Sequence, residues 1–165
     1  MRSLTYAFIV TAALVFTGCS ESSSPVSPST ASGGSRDAQV DVEGANGGRP
    51  LSTTMTGAEE APGPGDPDGS GTAFLTFNPG QEQVCFELTV SGIAPANAAH
   101  IHEAPVGVPG PVVVGLQAPT SGSSTGCVQA DRELILDILQ NPAEYYVNVH
   151  NAAFPAGAVR GQLGQ

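Results

Sequence analysis

Glycine and proline punctuate the sequence so densely from Arg49 onward that only short elements fit between them. The 165 residues include 21 Gly and 14 Pro, together well above ordinary usage. A helical bundle is excluded, because long helices do not survive that spacing. The runs between the breakers have strand character. Leu51, Thr53 and Met55 alternate with Ser and Thr, and further runs occupy 71–77, 83–91, 98–103, 111–116, 127–129, 144–151 and 157–163. Residues 79–82 (PGQE) read as a hairpin connection. Only 131–140 (DRELILDILQ) has helical spacing, through Leu134, Ile135, Ile138 and Leu139, with Asp131 placed to cap it and Asn141-Pro142 to stop it. Seven or eight strands with one short α-helix, all within 49–165, predict an all-β sandwich.

The segment before this domain divides in two. Residues 1–18 carry one charge, Arg2, then an apolar stretch of signal-peptide character, too short to span a bilayer permanently. The ending Phe16-Thr17-Gly18-Cys19 resembles a bacterial lipobox, with Phe where Leu is usual. That resemblance implies cleavage before Cys19 and acylation of its sulfur. Ser20 resembles the sorting position of lipoproteins sent to an outer membrane, so the expected location is an outer membrane or cell surface. Residues 19–48 are Ser, Gly and Pro-rich and read as a flexible tether with a span of about 30 Å.

Charge narrows the function classes. There is no Lys, five Arg stand against 15 Asp and Glu, and the formal net charge is -10. Such a surface cannot bind nucleic acid by neutralising phosphates. Nor is it drawn to anionic headgroups, so membrane attachment falls to the lipid.

With Cys19 acylated, Cys85 and Cys127 remain, and an exported domain favours a disulfide between them. The alternatives are two buried thiols or a metal pair with histidine. All three histidines, His100, His102 and His150, lie in the domain. On a strand His100 and His102 share a face opposite Ile101. In YYVNVHN, Tyr146, Asn148 and His150 oppose Val147 and Val149. With Val159 and Leu163 inward, Arg160 and Gln162 join the polar face. Three imidazoles on one surface can bind copper or zinc. Alternatively they hydrogen-bond to backbone, to Glu103 or to the loop 105–110 (PVGVPG). Arg160 reads as a partner for a carboxylate. Glu59 and Glu60 read as a solvated turn leading into GPGDPDGSG, whose acidic residues lack calcium-loop spacing. No serine or cysteine occupies a nucleophile-elbow context, so no catalytic residue is assigned.

The phrases AHIHE (99–103), GPVVV (110–114), YYVNVH (145–150) and PAGAVRGQL (155–163), in that order, resemble the CHRD domain, named after chordin. The resemblance covers 51–163. It implies an immunoglobulin-like, Greek-key β-sandwich; bacterial members are exported proteins, commonly without an assigned activity. The His-x-His strand is also similar to the copper-binding strand of Cu/Zn superoxide dismutase, but three histidines are too few for that enzyme's two metals. The expected function is therefore a membrane-anchored binding or structural module rather than an enzyme. The alternative is a copper- or zinc-binding domain with redox capacity, and a third reading is recognition of an extracytoplasmic protein through exposed edges and the 105–110 loop.

Overall fold

The computed structural model describes residues 48–164; the signal segment, Cys19 and the tether before Gly48 lie outside the described residues. Eight antiparallel strands form: β1 (Arg49–Thr56), β2 (Ser70–Asn78), β3 (Gln83–Ser91), β4 (Ala96–Glu103), β5 (Val112–Leu116), β6 (Ser123–Gln129), β7 (Tyr145–Asn151) and β8 (Val159–Gln162), with one helix, α1 (Arg132–Gln140). The order is β5-β4-β7-β8-β1-β2-β3-β6.

A single register pair, Thr56 with Arg160, joins β1 to β8. The sheet is thus two four-stranded halves with a narrow hinge. The link from β3 to β4 crosses between the halves in four residues, 92–95, a reach of about 14 Å. Such a short link requires the halves to face each other near the roughly 10 Å spacing of packed sheets. The architecture is all-β, sandwich or barrel-like, as the spacing of the breakers predicts. At the hinge Gly161 is obligatory, since a Cβ there would sit 2.2 Å from the Thr54 carbonyl oxygen.

Strand alternation fills the space between the halves. Leu75, Phe77, Val84, Phe86 and Leu88 from one half share a core with Ile101, Val147, Val149 and Val159 from the other. Each such side chain stabilises the fold by about 1.5–3 kcal/mol when fully buried. Helix α1 adds Ile135, Ile138 and Leu139, and its Asp137 carboxylate accepts a hydrogen bond from the Tyr145 hydroxyl.

Several local expectations are corrected. Asp131 precedes α1 but makes no side-chain capping bond. Strand β6 starts at Ser123 rather than Cys127, because pairing with β3 imposes extended backbone on a Ser, Thr and Gly sequence of little intrinsic strand preference. β5, although continuously apolar in sequence, lies at the end of the sheet with Val112 52% exposed. Cys85 and Cys127 are direct cross-strand partners joined by a disulfide. It lies on the outer face, opposite Val84 and Phe86, so it staples strands rather than the core.

Candidate metal centre

The polar outer face of β4, β7 and β8 gathers the histidines. In β4, Ile101 is buried in the core and His100 and His102 turn outward; in β7, Val147 and Val149 are core and Tyr146, Asn148 and His150 are on the other side. Register then sets His102 beside Tyr146, and His100 beside Asn148, which is in turn beside Arg160 of β8. One ring nitrogen of each histidine lies within 4.8 Å of the others. His100 Nδ1 and His150 Nε2 are hydrogen-bonded at 3.1 Å, a separation near the ~3.3 Å that two imidazoles on one tetrahedral metal would also adopt.

Backbone carbonyls fix the ring orientations. His102 Nδ1 lies 2.8 Å from the Gly110 oxygen, and His150 Nδ1 lies 3.2 Å from the Pro155 oxygen. A carbonyl oxygen only accepts, so each Nδ1 carries its proton and each Nε2 keeps a lone pair. His102 Nε2 is buried and has no hydrogen-bond partner among the described residues. A donated Nδ1–H with a free Nε2 is the arrangement typical of metal-ligating histidine. His100 and His150 are held below the ordinary imidazole value. For His100 the cause is burial and then the nearby His150 and His102; for His150 it is burial, with His102 adding and the Pro155 bond opposing. Neutral rings at pH 7 are the ones that ligate.

The loop 104–111 is clamped over this face. The Tyr146 ring stacks on His102 with centroids 4.8 Å apart, and its hydroxyl accepts from the Gly110 N–H at 3.1 Å. Arg160, 1% exposed, approaches the Tyr146 ring from β8 at 3.4 Å. Its guanidinium donates to the carbonyls of Val108 and Pro105, both at 2.9 Å, and to Gln162 Oε1 at 3.0 Å. Gln162 donates to the Ala104 and Ala143 carbonyls. Arg160 and Gln162 do leave the core side of β8, as alternation predicts, but the loop buries them. Carbonyls, rather than the expected carboxylate, satisfy the guanidinium. The consequence is positional: the carbonyl that orients His102 belongs to a loop pinned by Arg160, Gln162 and Tyr146.

Glu60 overturns the solvated-turn expectation. It is 8% exposed and burial raises its pKa to about 7, against the lowering effects of Arg160 and of hydrogen bonds from Ala61 and Asn148. Its Oε1 and Asn148 Oδ1 are buried and without hydrogen-bond partners among the described residues. A Cβ on Gly157, whose φ is +148°, would sit 2.3 Å from the Glu60 carboxylate. Glycine at 157 is what lets that loop close over Glu60. The only signal in the sequence was that glycine, and nothing there linked it to a residue nearly a hundred positions earlier. Of the hydrogen-bond partners expected for the histidines, Glu103 is exposed, whereas Gly110 of the 105–110 loop does meet His102.

Residues 51–163 match the family model of the CHRD domain. The chain belongs to the CHRD domain family. Comparison of this CHRD chain with curated proteins and with solved structures found no match. Among the described residues of the CHRD domain, no helix is long and apolar enough to cross a membrane.

Proposed function

We propose that the CHRD domain of this chain binds one copper or zinc ion through His100, His102 and His150. The protein is exported and carried on a lipid at Cys19, at an outer membrane or cell surface, and acts there as a binding module. The observation that carries the metal reading is the hydrogen bonding of His102. Its Nδ1–H is committed to Gly110, its Nε2 lone pair is buried and without a partner among the described residues, and one nitrogen of its ring lies within 4.8 Å of a nitrogen of each of the other two imidazoles. An isolated buried acceptor is costly, by roughly 1–3 kcal/mol, and a cation removes that cost. His150 likewise commits its Nδ1–H to a carbonyl, but its Nε2 accepts from His100 Nδ1; both of those nitrogens become ligand atoms once the His100 proton moves to Nε2. Three imidazoles suit copper and zinc and leave a position for water or a fourth ligand. The sequence features of residues 1–19, together with the acidic charge, support the lipid anchor.

Calorimetric titration of the metal-free chain with copper and with zinc tests the site. One equivalent should bind, and His100→Ala with His102→Ala should abolish it. Binding that survives both substitutions would assign the metal elsewhere. Acylation is tested separately by the mass of the N-terminal peptide from the membrane fraction, which should begin at a modified Cys19.

A further inference from the structure

The outer face of the other half of the sandwich, β1-β2-β3-β6, is built of hydroxyls. Register sets Thr54, Thr72, Thr89 and Ser123 in one row across four strands, and Thr56, Ser70 and Ser91 in the next. Thr72 and Thr89 hydroxyls lie 2.7 Å apart and those of Ser70 and Ser91 2.9 Å apart. Each pair uses one of its two protons internally, so a donor and several acceptor lone pairs remain free on the surface. In the third row Phe74 stands between Ser52 and Glu87 and is partly exposed. A groove of about 490 Å³ runs over β1 and β2, with Ser52, Thr54, Thr72, Phe74 and Glu59 in its walls.

We propose that this groove binds a neutral saccharide. The walls contain no basic side chain and one carboxylate, which disfavours an anion. Hydroxyls on most of the surface would be left without partners by an apolar ligand, and that is costly. A sugar meets both parts of the wall. Its C–H face covers the ring of Phe74, while its hydroxyls pair with those of Ser52, Thr54 and Thr72, and neighbouring hydroxyls donate to Glu59. The Thr72 hydroxyl is already held by Thr89, and short Ser and Thr side chains have few rotamers to lose, so little side-chain entropy is lost on binding. The volume lies within the range of small-ligand sites. The histidines occupy the outer face of the opposite half, so this site stands or falls independently of the metal.

The test is an NMR titration of the metal-free, nitrogen-labelled chain with cellotriose, maltotriose and the trimer of N-acetylglucosamine. At least one should give saturable shifts at the amides of 52–54 and 72–74, with those of 100, 102 and 150 unmoved. Phe74→Ala should weaken binding at least tenfold. Glu59→Gln, at an exposed position, should weaken it severalfold and serves as the second variant if Phe74→Ala does not fold. Absence of saturable shifts with all three sugars overturns the proposal, as do shifts confined to another surface. Concentration-dependent self-association through 52–74 without sugar would assign the face to a second copy of the chain and equally overturn it.

Discussion

Glu60→Gln separates the buried carboxyl from every other titrating group in the domain. In the folded chain Glu60 holds its proton up to about pH 7, against an ordinary value of 4.5. Between those values the folded state binds more protons than the unfolded one, so this carboxyl's contribution to stability is lost as pH rises from 4.5 through 7. At 1.36 kcal/mol per tenfold change in proton affinity the full effect is about 3 kcal/mol, and water that still reaches the carboxyl reduces it to about 2 kcal/mol. His100 and His150 act in the opposite direction. Their folded values lie below the ordinary imidazole value, so below about pH 6.5 the unfolded chain takes up protons that the folded chain does not, and stability falls. Both proteins keep these histidines, so their effect cancels in the comparison. Urea denaturation with chelator at pH 4.5 and pH 8 should show the variant gaining about 2 kcal/mol on the wild type between the two. The same difference at both values would refute the burial of an ionising Glu60.

Two further predictions concern the loop clamp and the disulfide. Arg160→Met keeps bulk but removes three donated bonds; about 3 kcal/mol of stability should be lost, and metal affinity should fall although no ligand has changed. Unchanged affinity in the folded variant would show that the loop does not position His102. Replacing Cys85 and Cys127 with Ser should cost about 2–4 kcal/mol by thermal denaturation, near the loop-entropy value for a separation of 42 residues, with metal binding intact. Loss of metal binding would couple the two faces.

Much of this domain can be read from its period-two alternation. Val147 and Val149 fix the core side of β7, and that alone assigns Tyr146, Asn148 and His150 to one surface; Ile101 does the same for His100 and His102. The His-x-His spacing therefore already groups residues of the candidate site. What alternation cannot express is what lies on top of a face. Arg160 and Gln162 read as exposed because the loop 104–111 that covers them is distant in sequence and held by their own hydrogen bonds to its carbonyls. Glu60 sits in a Gly and Pro-rich turn whose composition resembles solvated loops, yet Gly157 folds over it. Strand β6 escaped detection over Ser123–Gly126 because its extended state comes from pairing with β3, not from its residues.

X-ray absorption at the metal edge of the zinc-loaded and copper-loaded chain tests the central claim most directly. The account predicts three imidazole nitrogens, at about 2.0–2.1 Å for zinc, with the multiple-scattering pattern of histidine weakened in His102→Ala, where two imidazoles remain. A shell of oxygens alone, or one that contains sulfur, would contradict it.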